Sequence, residues 1–543
     1  MNHRLIIKLL GSVCIALGLA MAFCIPWACE YFTSTGGKGK NEHLLVDFAE
    51  PEGYSALLYS MGICFALGAI LRYIGQKAKP TLFRREAIAV VVFSWVLATV
   101  LGAFPYFLCG NIYLNGGELI RESNEYEDVP ITFIDAMFES QSGFSTTGAT
   151  VFSDIESLPR CILFWRSCTQ FLGGIGIIVL LVAILGQGLG GKEVLRTERV
   201  GSPGEGAPLA RVQSLAWSLF GIYIGLNVLL IGILWMLNLR LFDAICHALA
   251  TIATGGFSTY NQGIGHFVNN PAYNGAAIEW VLTLFMLLGG TNFVLLFWCL
   301  CGKPGHLFRD TEWRTYVGII LAASLAVMIF GLWYGSFQTE SVSVPHAFRT
   351  SVFHVVSFLT STGFVAEQYD GWSAPAVVIL LLLMCMGACA GSTTGGIKLF
   401  RVILGAKIVR THIEQTWHPS VVRNVWLNKN VVNRDVLNNV AIFIALYFAV
   451  IVLVTLVITA IEPDATWLNL NYAADRQLLD VPCMVLTCLS NVGPGIGVIG
   501  AEGHFGSLTS ATKFLLTWVM LLGRLEIFVV LVVLSPRFWR AHA

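Results

Sequence analysis

Apolar runs of 18 or more residues, separated by short polar stretches, recur along the whole of this 543-residue chain. Runs of that length predict helices able to cross a bilayer, whose hydrocarbon core is about 30 Å thick. They lie near 6–28, 55–75, 86–109, 161–189, 214–238, 276–301, 315–337, 374–400, 436–461 and 511–535, ten in all. The first follows Arg4 and Lys8, as the core of a signal peptide would. It runs on through Trp27 and Phe32 without a small-residue cleavage site, however, and is read as a helix.

Four shorter amphipathic stretches between these runs share one design. They read IDAMFESQSGFSTTG (134–148), FDAICHALATIATGG (242–256), RTSVFHVVSFLTSTG (349–363) and LDVPCMVLTCLSNVG (479–493). An acid or hydroxyl residue opens each one, and a glycine follows 13 positions later: Asp135 to Gly148, Asp243 to Gly256, Thr350 to Gly363 and Asp480 to Gly493. A spacing repeated four times predicts fourfold pseudosymmetry about an axis. At about 1.5 Å per residue such a stretch is too short to span the membrane, so it must enter and return on the same side. Irregular backbone at that depth is tolerated only where protein or a water-filled cavity surrounds it, and four loops around one axis shelter each other. Interfacial helices followed by ordinary outer loops would explain any single stretch, but not four copies at one spacing.

Composition agrees with the pattern. With 56% hydrophobic residues, 12% charged residues and a mean hydropathy of +0.71, the chain cannot be a water-soluble globule. Its 33 basic residues balance 33 acidic ones, which gives no reason to expect a nucleic acid partner. Charge is sorted by loop instead. Arg72, Lys77, Lys79, Arg84 and Arg85 fall on the same side as Lys192, Arg196, Arg199 and Arg211, then Lys303, Arg309 and Arg314. Arg401, Lys407, Arg410, Arg423, Lys429 and Arg434 follow, with Arg537 and Arg540 in the tail. The loop 110–130 on the other side carries Glu118, Glu122, Glu125, Glu127 and Asp128 against Arg121. The positive-inside bias therefore puts both termini in the cytoplasm. The 14 cysteines are scattered without metal-ligand spacing; Cys24, Cys29 and Cys109 are the candidates for an outer disulfide.

The residues before each glycine are small and uncharged: Ser145, Thr146 and Thr147; Ala253, Thr254 and Gly255; Thr360, Ser361 and Thr362; Ser490, Asn491 and Val492. Backbone carbonyls of such loops can replace the hydration shell of a cation, and glycine reaches the positive φ that turns them inward. The partly negative C-terminal end of each short helix favours a cation in the same place, while the lack of carboxylates argues against a calcium or magnesium cage.

The third repeat differs from the others. GACAGSTTGGIK (387–398) interrupts its last apolar run with small residues, and a helix through it would be weak. Unwound just inside the loops, it would act as a gate built from Gly387, Ala388, Gly391, Ser392, Thr393, Thr394, Gly395 and Gly396. Close helix packing through small residues is the alternative. Ile397 stands where a phosphate-binding loop would need lysine. Arg524, within LLGRLEIF, is a charge in mid-span costing about 2.5–3.5 kcal/mol to insert, so it must face protein or the pore. Glu526, two residues on, would point to a different helix face. On this reading only the third repeat unwinds and only the fourth supplies an arginine. Lys398 is expected as an interfacial anchor, Arg166 as a residue that fixes loop geometry, and His247 and His354 as packed, hydrogen-bonded residues rather than proton carriers.

QSGFSTTGAT (141–150), ATGGFS (253–258), TSTGF (360–364) and SNVGPG (490–495) closely resemble the four filter loops of the Trk/Ktr/HKT superfamily of potassium transporters. The wording of the first loop and two extra N-terminal helices are similar to its TrkH branch, and the resemblance covers the whole chain. It implies an all-α polytopic membrane protein with four helix, pore-helix, helix repeats around a central pore. The boundaries would be an extra pair over 1–85, then repeats over 86–213, 214–314, 315–435 and 436–543. It places the filter at Thr146, Thr147, Gly148, Thr254, Gly255, Gly256, Ser361, Thr362, Gly363, Asn491, Val492 and Gly493, and sets Arg524 against the gate loop. Serine in place of the first glycine goes with sodium permeation in relatives, so glycine at all four places favours potassium. Also implied are potassium as substrate with no bound cofactor, a homodimer in the bacterial inner membrane, and a TrkA-type cytoplasmic nucleotide-binding subunit. A proton- or sodium-coupled symporter of the same fold is the nearest alternative. A rocking transporter would need inverted repeats, whereas these four enter in one orientation. An intramembrane enzyme would need paired acids, HExxH or a Ser/His arrangement at depth, and none is found in the sequence.

Overall fold

A computed structural model of the chain describes residues 2–28, 50–78, 83–109, 130–186, 208–335, 343–421, 423–428, 430–469 and 473–540. The acidic residues 118–128, together with Cys29, Phe32, Lys79, Lys192, Arg196, Arg199 and Lys429, lie outside the described residues.

The protein is an all-α membrane protein. Helices α1 (His3–Ala22) and α2 (Pro51–Ile74) pack on each other and on α3 (Arg84–Leu108). The first repeat is α3, a short α4 (Phe133–Phe144) and α5 (Arg160–Gly186). The second is α6 (Pro208–Met236), short α7 (Leu241–Ile252), and a last helix broken into α8 (Gly275–Gly289) and α9 (Phe293–Leu300). The third comprises α10 (Thr311–Tyr334), short α11 (Val344–Leu359), α12 (Ala374–Cys385) and, after an unwound stretch, α13 (Leu399–Trp417). The fourth comprises α14 (Arg434–Ile461), short α15 (Gln477–Ser490), α16 (Ser510–Leu525) and α17 (Ile527–Leu534). Among the described residues, six helices are long and apolar enough to cross a membrane, and two bent pairs pass the same test together.

Those bends correct the sequence reading, which has uninterrupted helices over 276–301 and 511–535 and unwinding in the third repeat only. The second repeat turns through 104° between α8 and α9, and the fourth through 114° between α16 and α17. Hydropathy averaged over a span misses both because the long apolar flanks outweigh the few polar residues at each break, Thr291 and Asn292 in one and Arg524 and Glu526 in the other. Gly290 has Tyr316, Thr360 and Ala388 where a side chain would stand, and the Asn292 side chain caps α9 by accepting from the Val294 N–H at 2.8 Å. Glu526 breaks the fourth helix with a left-handed φ of 67°.

Three of the short helices begin within a turn of the acid that opens the stretch, whereas α11 begins at Val344, ahead of Thr350. Thr132 and Asp135 form a reciprocal capping box, and Asp135 also pairs with Lys513. Asp243 accepts from the Thr259 and Tyr260 hydroxyls at 2.9 and 3.0 Å, and Asp480 from the Trp467 indole at 2.9 Å. These acids sit where a helix N-terminus favours negative charge. One hydrophobic core gathers mainly the first helix pair with the first and fourth repeats, and another the second and third. Trp217 and Trp235 on α6, Leu321 and Ile329 on α10, and Val452 and Leu456 on α14 are exposed, as helix faces turned toward lipid tails are. A hairpin pairing Trp426–Leu427 with Asn430–Val431 lies between the third and fourth repeats and packs with α13 and α14. Cys24 and Cys109, the described disulfide candidates, are both buried.

Candidate ion pathway

Each short helix ends in the same way. The N–H groups of Thr147, Gly255, Thr362 and Val492 reach back to the carbonyls of Ser142, Ala250, Ser357 and Thr487 at 2.8, 2.9, 2.8 and 3.0 Å. The residues before them, Thr146, Thr254, Ser361 and Asn491, are left-handed, with φ of 52°, 54°, 51° and 56°. This is the helix stop usually made by glycine. A non-glycine residue there is strained, and the same strain recurs at four equivalent positions.

The four glycines then close a ring. Gly148, Gly256, Gly363 and Gly493 have φ of 82°, 78°, 75° and 99°. A Cβ on Gly148 would collide with the carbonyl oxygen of Gly255, one on Gly256 with that of Thr362, one on Gly363 with that of Val492, and one on Gly493 with that of Thr147. Each glycine therefore abuts the carbonyl of the next loop in chain order, and the fourth returns to the first. All four line a single cavity. The geometry gathers four uncharged loop ends around one cavity, and backbone oxygens are ligands of the kind that can replace a cation's water.

On one side the ring is braced by Arg166, which is 1% exposed. It pairs with Glu139 at 2.8 Å and donates to the Ser258 carbonyl at 3.0 Å and the Thr150 hydroxyl at 3.3 Å, tying the first loop to the second. His247 and His354 act similarly within their own loops. Nδ1 of each bonds the carbonyl four residues back at 2.8 Å, while Nε2 meets the Ser258 hydroxyl at 3.0 Å or accepts from the Ala366 N–H at 3.4 Å. With both ring nitrogens engaged, they serve packing.

On the other side lies the unwound stretch of the third repeat. Its ends pair as a parallel bridge between Met386 and Ile397, with the Gly387 N–H donating to the Ile397 carbonyl at 2.8 Å. Gly387 has no room for a side chain because the Gly395 carbonyl occupies the place. The Ala388 carbonyl accepts from the Leu399 N–H at 3.1 Å, and that of Gly391 from the Phe293 N–H at 3.2 Å. The Ser392 hydroxyl bonds the Cys389 carbonyl at 2.6 Å and the Thr394 hydroxyl at 2.9 Å. Thr393 reaches the carbonyls of Ile252 and Gly289 at 3.1 and 3.2 Å. Gly391 and Gly396 take left-handed φ of 72° and 69°, and Gly395 abuts the Ser490 carbonyl. Carbonyls freed by the break in the second repeat are thus satisfied by the unwound third, as buried backbone requires.

Arg524 is 3% exposed. It donates to the carbonyls of Thr393 at 2.6 Å and Gly173 at 3.1 Å, while Glu526 instead pairs with Arg401 at 2.7 Å. The expectation for Lys398 is corrected. Rather than anchoring at the interface, its ammonium folds back onto the Thr394 carbonyl and, at 3.0 Å, the Thr394 hydroxyl, because nearer protein oxygens satisfy it.

A family model described as TrkH, cation transport protein, matches residues 60–541. The chain belongs to the TrkH family. It is 33% identical to the Trk system potassium uptake protein TrkH of Escherichia coli (strain K12), over 90% of this chain and 95% of that protein. It is also 33% identical to the Trk system potassium uptake protein TrkI of Halomonas elongata, over 92% of each. The crystal structure of the potassium transporter TrkH from Vibrio parahaemolyticus matches with a TM-score of 0.80 and 28% identity, covering 99% of this chain and 100% of that one. The family and the all-α polytopic fold implied by the sequence motifs are thereby established.

Two residues of this TrkH-family site, Gln170 and Glu312, and the side-chain contacts of Asn491 escape the sequence reading. Gln170 on α5 donates to the Gly255 carbonyl at 2.6 Å and accepts from the Phe257 N–H at 3.2 Å. Its amide fills the place of a side chain at position 255, which explains the second loop's double glycine. A lone glutamine in an apolar run is the signal that could have found it. The Asn491 side chain donates to the Thr147 hydroxyl and the Met520 carbonyl, both at 3.0 Å, tying the fourth loop to the first. Glu312, in the first turn of α10 and 8% exposed, accepts from the N–H groups of Ala390 and Phe400 at 2.8 and 3.0 Å. One carboxylate thus holds both flanks of the unwound stretch.

Proposed function

We propose that this chain carries potassium inward across a bacterial inner membrane through a filter made by the carbonyls of 146–148, 254–256, 361–363 and 491–493. The closed ring of glycine against carbonyl is the observation that carries the reading. A stripped cation needs oxygens in place of water, and four helix C-termini add a partly negative potential at the same point. The relatives named potassium uptake proteins support the choice of ion, as does glycine at all four positions. Potassium is the substrate here rather than a resident cofactor.

The stretch 387–396 is the gate in this reading, and Arg524 supplies a fixed positive charge beneath the filter. Each of the four repeats, 86–213, 214–314, 315–435 and 436–543, contributes one loop, and the pair over 1–85 packs outside the first. The working unit is a homodimer with both termini in the cytoplasm. A TrkA-type nucleotide-binding subunit docks on the basic inner loops and controls the gate.

Potassium and sodium uptake in transport-deficient cells tests both assignments. Gly148→Ser is expected to lower discrimination between the ions, and deletion of 388–395 to raise flux without its usual control. Unchanged discrimination would sink the filter, and unchanged flux the gate.

A further inference from the structure

The strained left-handed residues of the four filter loops do not share one environment. In the first loop the Thr146 hydroxyl is buried without a hydrogen-bond partner. In the second, the Thr254 hydroxyl meets the Thr393 hydroxyl at 3.2 Å, and Thr393 in turn reaches the carbonyl of Ile252, the last residue of α7, at 3.1 Å. In the third, the Ser361 hydroxyl accepts from the Gly395 N–H at 2.8 Å. In the fourth, Asn491 turns to the Thr147 hydroxyl instead. Two filter loops of four are therefore fastened directly to the stretch 387–396, and each fastening point is a residue whose own backbone is strained.

We infer that Ser361 and Thr254 are positioning residues that link ion occupancy of the filter to the state of the loop beneath it. Potassium in the filter holds the loop shut, and withdrawal of the loop loosens the filter's grip on the ion. This rests on reading 146–148 and its counterparts as a filter and 387–396 as a gate. When the loop withdraws, the Ser361 hydroxyl loses its partner and the Thr254 hydroxyl keeps only the Ala253 carbonyl of its own loop at 2.7 Å, so the contacts that fasten the left-handed backbone to 387–396 are gone. The carbonyls of Ser361 and Thr254 and of the residues after them then lose their fixed aim. Coupling between two binding equilibria is reciprocal, so an ion that orders these carbonyls must favour the closed loop. The consequence suits transport, because an ion held tightly while the path is shut must be released once it opens.

The loop carries its own reporter in Cys389, which is fully buried. Alkylation of Cys389, resolved by peptide mass spectrometry on the full-length protein in lipid nanodiscs, measures opening. Hydrogen exchange over 389–398 is a second measure independent of thiol chemistry. Both should be slower in potassium than in sodium by about two- to tenfold, the worth of one or two ordinary hydrogen bonds. Ser361→Ala, or Thr393→Val if the first variant folds poorly, should bring the potassium-to-sodium ratio of rates close to one. Simple loosening would raise both rates and leave the ratio. Equal rates in the two ions for wild type, or a wild-type ratio in both variants, would overturn the linkage. Potassium titration of the same sample separates the causes: potassium binding with equal rates defeats the linkage alone, and absence of potassium binding defeats the filter reading along with it.

Discussion

Replacing each filter glycine by serine, one at a time, tests the ring most directly. At all four positions φ lies between 75° and 99°, where an L residue costs about 1–2 kcal/mol. The new Cβ would stand no more than 2.5 Å from the neighbouring loop's carbonyl oxygen, against the 3.0 Å that real Cβ atoms keep. That oxygen must retreat, by about 0.5 Å at Gly493 and about twice as far at Gly363. Contacts of hydrogen-bond strength to a charged group contribute about 1.5–3 kcal/mol. Displacing one ligand that serves potassium alone would then reduce discrimination over sodium by about one to two orders of magnitude. The depth of each collision ranks the series: Gly363→Ser and Gly256→Ser should be worst, Gly148→Ser intermediate and Gly493→Ser mildest. The assay is the initial rate of rubidium uptake, with and without excess sodium, in cells lacking their own potassium uptake and matched for expression. Wild-type discrimination throughout, or a series in which Gly493→Ser is the most damaging, would refute the reasoning.

Two further outcomes follow from buried carboxylates. Glu312→Ala removes the acceptor for the Ala390 and Phe400 N–H groups and, at about 1.5–3 kcal/mol for each bond to a charged group, should raise basal potassium flux in liposomes free of any cytoplasmic partner. Glu312→Gln keeps an acceptor oxygen and should be milder; equal flux in Glu312→Ala and wild type would refute the tether. Lys513 and Asp135 are 4% and 0% exposed at their side chains, so Lys513→Met strands a buried carboxylate at a cost of about 3–5 kcal/mol. Thermal unfolding followed by size-exclusion fluorescence should show the loss, and the double variant Asp135→Asn, Lys513→Met should recover most of it.

Much of the site is legible along the chain because its parts are local. The short helices and the glycines that follow them belong to single short segments, so spacing reveals them, whereas the left-handed turns at Thr146, Thr254, Ser361 and Asn491 fall on residue types that do not mark them. The partners of Arg524 and Lys398 are not legible in this way. Arg524 takes the carbonyls of Thr393 and Gly173, which lie in other repeats, and a carbonyl exists at every position, so no residue type marks the acceptor. Glu312 was hidden for the same reason: at the head of an apolar run it reads as an interfacial charge, and its N–H donors lie in another part of the repeat. The breaks at Gly290 and Glu526 are not legible in hydropathy, which measures composition and not helical continuity.

By itself, the sequence determined the solvent, the number of repeated loops and the positions of the glycines, since apolar length, spacing and backbone freedom are properties of short stretches. Tertiary structure alone decided that each glycine abuts the next loop's carbonyl in chain order, that the second and fourth inner helices bend as the third unwinds, and which loops are fastened to the stretch beneath. Those outcomes depend on which freed backbone group finds which partner across the fold. In a medium without water, that matching of donors and acceptors is a condition on the whole assembly rather than on any segment of it.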